Sequence, residues 1–371
     1  MKNRFLILLS FVLIVGRDVV CANTSMVRER ININRDWRYQ IDDPDGVGAA
    51  LHYSRLKPYL LPCANDFIIF GKRYQRPEGN PGENIAYVKS DFDDSEWRHL
   101  NLPHDWAIEG PFNIDYNGST GKLPYWGIRW YRKTLELSQD DAGKQIYLDI
   151  DGAMSYVSVW CNGQYVGGWP YGYASFRLDL TPYIKAGQKN VLAIRLDNPD
   201  DTSRWYPGSG IYRNVWLVKT SPVHVEQWGT FVRNQQVDSE IAVMEMGVNI
   251  ENHAGEDVQV KLQTSVYLQG KDGRPVGEEV TQSMTKDIAI KKDSWSSARF
   301  QFKVDKPKLW DIDTPNCYVA VSRVFMDGKE MDSYETPFGI RTIEFTHNQG
   351  FMLNGQKVAI KGVCMHHDLG A

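Results

Sequence analysis

No stretch of this 371-residue chain concentrates charge of one sign: 42 Lys and Arg stand against 46 Asp and Glu, for a formal net charge of −4. That balance speaks against nucleic acid or an anionic membrane surface as partner. The five cysteines contain no CxxC pair, which removes the usual structural zinc spacings. Helical periodicity is scarce. No apolar run is long enough to span a bilayer; residues 5–16, interrupted by Ser10, come nearest. What remains is the composition of a folded globular protein, 24% charged and 42% hydrophobic, with length for two or three domains.

The N-terminus departs from this average. Lys2 and Arg4 precede the apolar run, and Val20-Cys21-Ala22 follows it with a cleavage-site pattern. Residues 1–22 read as a secretory signal peptide, cut after Ala22, that exports the mature protein to a bacterial periplasm. A lipoprotein anchor on Cys21 is the alternative, and Val20 is larger than the small residue such anchors prefer. Export permits disulfides, yet Cys63, Cys161, Cys317 and Cys364 are widely spaced and read as buried free thiols.

The fold class expected is mainly β, in two sandwiches followed by the start of a barrel. In the first module, residues 23–220, Ile146, Leu148 and Ile150 share one strand face, as do Val157, Val159 and Cys161, and Asn162-Gly163 closes a hairpin onto Tyr165 and Val166. Short strands with frequent turns predict a jelly roll. Residues 46–82 interrupt it as an irregular insertion with Pro58, Pro62, Pro77 and Pro81, of the length usual for a functional or mobile loop. Ser221-Pro222 opens the second module, residues 221–338. There Ala242, Met244, Met246, Val248 and Ile250 alternate, as do Val258, Val260, Leu262, Thr264, Val266 and Leu268. Roughly seven such strands predict an immunoglobulin-like sandwich, without the Cys…Trp…Cys signature of antibody domains. After a hairpin at Asn354-Gly355, residues 358–363 form an apolar run that ends in Met365-His366-His367-Asp368. A buried strand that ends in titratable groups is how a parallel β/α barrel begins its active-site face.

Nine of the twelve tryptophans precede Thr220. Aromatic faces suit the C–H faces of sugars, although most tryptophans are core residues. Trp126 and Trp205, in Gly/Pro-rich loops, are the better candidates for a ligand. Acid pairs at Asp93-Asp94, Asp140-Asp141, Asp200-Asp201 and Glu278-Glu279 invite a glycosidase reading. Neighbouring side chains on a strand point apart, so none is assigned catalysis. In residues 203–217 a Gly/Pro turn follows Arg204-Trp205, and Arg204 suits sugar hydroxyls or a carboxylate; the alternative is a structural turn with Arg213 in a salt bridge. Asp105, in Leu102-Pro103-His104-Asp105-Trp106, either stabilises a turn or binds a hydroxyl. His366 and Asp368, two apart on a strand end, face one side, and a His so placed hydrogen-bonds a sugar hydroxyl while the Asp orients it. A metal site needs more ligands than this chain end supplies.

Five segments occur in a telling order: Pro103-His104-Asp105-Trp106, Trp130-Tyr131-Arg132-Lys133, Gly208-Ser209-Gly210-Ile211-Tyr212-Arg213-Asn214-Val215-Trp216-Leu217, Phe338-Gly339-Ile340-Arg341 and Lys361-Gly362-Val363-Cys364-Met365-His366. Together they resemble glycoside hydrolase family 2, the β-galactosidase and β-glucuronidase group. The resemblance implies a jelly-roll sugar-binding domain, an immunoglobulin-like domain and a catalytic (β/α)8 barrel beginning at residues 339–371. It implies a retaining exo-glycosidase that acts on terminal β-glycosidic bonds with two glutamates about 5–5.5 Å apart.

A barrel takes about 250 residues, and about thirty follow Phe338. By the resemblance both glutamates, the acid/base and the nucleophile, come from later barrel strands and are expected beyond Ala371. The expectation is therefore a fragment without the catalytic glutamates and without turnover of its own. The alternative is an exported, non-catalytic carbohydrate-binding protein. By the same resemblance His366 is a substrate-binding histidine, with Asp368 beside it, and Arg204-Trp205 lies in a loop that reaches the active site; Asp105 falls in a shared motif. No cofactor is assigned to this chain, a divalent cation belongs at most to a longer enzyme, and assembly into a homo-oligomer through the β domains is plausible.

Overall fold

The structure, a computed structural model, describes residues 27–67, 72–200 and 203–364. The signal-peptide reading, His366, Asp368 and the terminal Ala371, past which the two glutamates are expected, lie outside the described residues.

Ten strands build the first domain: β1 (Glu29–Asn32), β2 (Trp37–Ile41), β3 (Arg98–Leu100), β4 (Gly127–Glu136), β5 (Gln145–Ile150), β6 (Val157–Cys161), β7 (Gln164–Trp169), β8 (Phe176–Asp179), β9 (Lys189–Asn198) and β10 (Val215–Thr220). They pair antiparallel into a six-stranded sheet, β3-β2-β4-β9-β6-β7, and a four-stranded sheet, β1-β10-β5-β8. The alternating residues of β5 and β6 named above are buried in the core between the two sheets, with Trp37, Tyr131 and Ile194. The β6–β7 hairpin turns through Asn162 (φ 51°) and Gly163 (φ 79°), the left-handed pair such a turn requires.

Of the insertion, residues 46–67 and 72–82 are described. Among these residues lies a helix, α1 (Tyr53–Leu60), flanked by 3-10 turns. Only Leu56 and Leu60 of the helix are buried, one turn apart, too sparse a pattern to read against Pro58. With Leu51, Val88 and Trp97 they cover the outer face of the six-stranded sheet at Trp130, Trp160 and Ala193. The charged groups on that face are then sealed from water, and each finds a partner. Arg195 meets Asp43 through two bonds of 2.8 Å, and Arg132 Nε meets Asp94 at 2.7 Å. The two indoles bond to Asp43 at 2.8 Å and to the Pro81 carbonyl at 2.7 Å.

The second domain comprises β11 (Val223–Val237), β12 (Ile241–Asn252), β13 (Val258–Gln269), β14 (Pro275–Val276), β15 (Met284–Ile290), β16 (Ser294–Asp305), β17 (Tyr318–Met326) and β18 (Lys329–Phe338). Sheet β11-β12-β16 packs on β14-β13-β17-β18, which β15 extends from β13. The alternating residues of β12 fill the core between them. Arg28, before β1, joins the two domains: its guanidinium donates to both oxygens of buried Asp332 on β18, at 2.9 and 2.8 Å, and Asp332 also accepts the Val225 N–H at 2.8 Å.

A small antiparallel sheet follows, β19 (Ile343–Thr346), β20 (Gly350–Leu353) and β21 (Gln356–Lys357). The strand expected over residues 358–363 is not formed. Val358 donates one bond to Phe351, no ladder continues beyond it, and Ile360 and Val363 are 74% and 88% exposed. A barrel strand is buried by its neighbours, and none flanks this segment among the described residues. None of the four described cysteines is joined in a disulfide. Burial pushes the Cys161 thiol up to about 12; of the others expected to be buried, Cys63 and Cys317 are half-buried and Cys364 is exposed.

Candidate functional site at the loop rim of the first domain

Three of the motif segments meet at one end of the first domain. The His104 N–H donates to the Ile211 carbonyl at 2.9 Å, and His104 Nδ1 lies 2.7 Å from the Tyr131 hydroxyl. Gly210 exchanges backbone bonds with Met154 at 2.9 and 3.2 Å. At φ 81° it occupies the left-handed region, and a Cβ there would stand 2.4 Å from the His104 carbonyl oxygen. The glycine of Gly210-Ile211-Tyr212 is thus a packing requirement. His104 is buried, and burial holds its imidazole below the ordinary value.

Asp105 turns away from that core toward the loop at residues 203–210. Its Oδ1 accepts the Ala107 N–H at 3.0 Å, which fixes the turn, and its Oδ2 accepts the Tyr206 hydroxyl at 2.7 Å. Burial raises the Asp105 carboxyl above its ordinary value, while the bonds from Tyr206, Ala107, Ser209 and Ile108 pull it down. Burial, then Asp105 itself, raises the Tyr206 phenol well above its ordinary value.

The neighbouring Trp205 is 41% exposed. Its indole N–H donates to the Tyr173 hydroxyl at 3.0 Å, which in turn donates to the Pro207 carbonyl at 2.9 Å. Tyr171, also exposed, meets Tyr173 edge-on at 5.6 Å. The Tyr212 hydroxyl holds the turn between them through the Gly172 carbonyl at 2.8 Å. Arg204 is exposed beside Trp205. The rim therefore presents aromatic faces and a guanidinium, the elements that stack on and hydrogen-bond a sugar. Trp126 is half-buried, wedged edge-on between Tyr116 and Tyr125.

Asp105, Arg204 and Trp205 thus come together, and Tyr171, Tyr173 and Tyr206 join them. Sequence reasoning missed the tyrosines; Tyr171-Gly172-Tyr173, aromatics flanking a glycine after Pro170, was the available signal. The acid pairs do not converge. Asp94 serves Arg132, Asp141 is buried between Lys219 at 2.7 Å and Lys144 at 3.0 Å, and Asp200 accepts from Tyr125 at 2.8 Å. Arg213 is exposed and makes no ion pair with a described residue.

A sequence profile of the glycosyl hydrolases family 2 sugar-binding domain matches residues 87–221, and one of glycosyl hydrolases family 2 matches residues 223–341. A β-galactosidase of Bacteroides ovatus is 41% identical over 355 residues, covering 94% of this chain and 36% of that protein. A β-glucuronidase of Bacteroides fragilis is 28% identical over 286 residues, covering 73% and 39%. Among solved structures, a family 2 glycosyl hydrolase of Bacteroides cellulosilyticus superposes with a TM-score of 0.74 at 29% identity, covering 91% of this chain and 39% of that one. The chain spans little more than a third of these relatives. No helix among the described residues is long and apolar enough to cross a membrane.

Proposed function

The chain belongs to glycosyl hydrolases family 2, and from that premise we propose that it supplies the sugar-facing front of an exported β-galactosidase-like retaining exo-glycosidase. The observation that carries this reading is the rim itself: Trp205, Tyr173 and Tyr171 stand exposed beside Arg204, on a loop that Asp105 anchors through Tyr206. Aromatic faces and a guanidinium orient a terminal sugar and cleave nothing. The glutamates that attack and protonate the glycosidic bond are assigned to no residue of this chain. His366, with Asp368 behind it, completes the sugar contacts in this reading.

The test joins this chain to the part of the Bacteroides ovatus β-galactosidase that follows the aligned region. The chain alone should not hydrolyse nitrophenyl β-galactoside, and the chimera should. In the chimera Trp205→Ala should raise KM with kcat little changed, the mark of a residue that binds ground and transition states alike. Turnover by the chain alone, or an unchanged KM in that variant, would overturn the reading. The exposure of the aromatic rim also supports a sugar-binding protein without hydrolysis. Saturable quenching of tryptophan fluorescence by free galactosides in the chain alone would favour that second reading.

A further inference from the structure

Away from the rim, where the second domain begins, two histidines and a glutamate converge. The register of β11 on β12 sets His224 opposite Glu251, and directly opposed residues bring their side chains together. His253, two positions after Glu251, shares its face and is held there by a bond from its N–H to the Pro222 carbonyl at 2.9 Å. His224 Nε2 lies 3.3 Å and His253 Nε2 3.6 Å from Glu251 Oε2, and the three atoms all lie within 4.8 Å of one another. From the first domain, Tyr147 on β5 places its hydroxyl 3.3 Å from the same His224 nitrogen.

We infer that His224, Glu251 and His253 form a divalent transition-metal site, of which zinc is the natural occupant, at the junction of the two β domains. Two imidazoles and one carboxylate are an established zinc donor set. Bonds of about 2.0–2.1 Å in a tetrahedron separate the ligand atoms by about 3.3 Å, close to the two spacings measured to Glu251. The third spacing closes with a rotation of His253, whose side chain is 40% exposed. His224 is fully buried and fixed between domains, so it supplies the rigid ligand. Its Nδ1 has no partner among the described residues. Ligation through Nε2 leaves the ring proton on that atom, and a missing outer partner of this kind costs about 10–100-fold in affinity. The site is thus a fastener of moderate strength, with Tyr147 at its first-domain side.

The test is a titration of the chelator-treated protein with Zn2+, followed by calorimetry and by the thermal unfolding temperature, and a parallel titration with Co2+ followed by its absorption spectrum. One equivalent should bind at this site, and the unfolding temperature should rise with zinc concentration, since a ligand that binds only the folded form stabilises it. Glu251→Gln and His253→Ala should each weaken binding by about ten-fold or more. Both keep the buried His224 in place, and far-UV circular dichroism checks their folding. The cobalt complex should lack the thiolate charge-transfer band. Absence of saturable binding, titrations unchanged in both variants, or a thiolate band that assigns the metal to cysteine would overturn the inference. Should either variant fail to fold, the cobalt spectrum of the unsubstituted protein decides.

Discussion

Tyr206 donates its hydroxyl to Asp105 across 2.7 Å, and this bond joins two segments 101 residues apart in the chain. Tyr206→Phe should cost about 1.5–3 kcal/mol, the range for a hydrogen bond to a charged group. Urea unfolding followed by tryptophan fluorescence measures it. Loosening of the rim should accompany the loss, read as faster proteolysis at residues 203–210.

The same carboxyl carries a pH signature. Burial raises Asp105 above the ordinary 3.8, so the folded state holds its proton more tightly than the unfolded chain does. This contribution to stability is complete below pH 3.8 and is lost as pH rises through the folded value. Asp105→Asn removes the titration. The difference in unfolding free energy, native minus variant, should therefore fall as pH rises from 3.8, and a difference flat across that window would contradict the assignment.

Gly210→Ala should destabilise the first domain by more than about 2 kcal/mol. The left-handed backbone at φ 81° alone costs about 1–2 kcal/mol with a side chain, and the added carbon would meet the His104 carbonyl at 2.4 Å. Alanine at Gly208, also left-handed but with nothing within 4 Å of its Cβ position, should cost only the backbone part. The gap between the two variants in urea isolates the clash.

Asp43→Ala leaves the Arg195 guanidinium, 2% exposed, without its principal counter-charge. Breaking a buried pair from one side costs about 3–5 kcal/mol. The cover over the six-stranded sheet should loosen, so hydrogen exchange should accelerate in α1 before it does in β4 and β9.

Arg28→Ala tests the coupling of the two domains. Asp332 would keep only the Val225 N–H, a loss of similar size to the previous one, about 3–5 kcal/mol. Calorimetry should then resolve two unfolding transitions, with the greater downward shift in the second domain, which contains Asp332.

The strands were readable because each sheet buries one face against the other, which writes a period of two into β5, β6 and β12. The cover over Trp130 and Trp160 was not, because α1 buries only two apolar residues of its own and Pro58 within it reads as a break in a helix. The rim was half legible. Trp205 and Asp105 stood out by composition, but no local pattern tells that Tyr206 reaches Asp105. His224 and Glu251 face each other through strand register, which no motif of fixed spacing expresses.

The cover built on α1 has a consequence for how this molecule meets others. A sandwich normally offers broad flanks to neighbouring proteins, yet the six-stranded flank here is roofed from end to end of its tryptophans. Two of the indoles that make the sequence look sugar-seeking, Trp130 and Trp160, lie beneath that roof and never meet solvent. That face is closed to a ligand, whereas Trp205 and Tyr171 stand exposed at the rim.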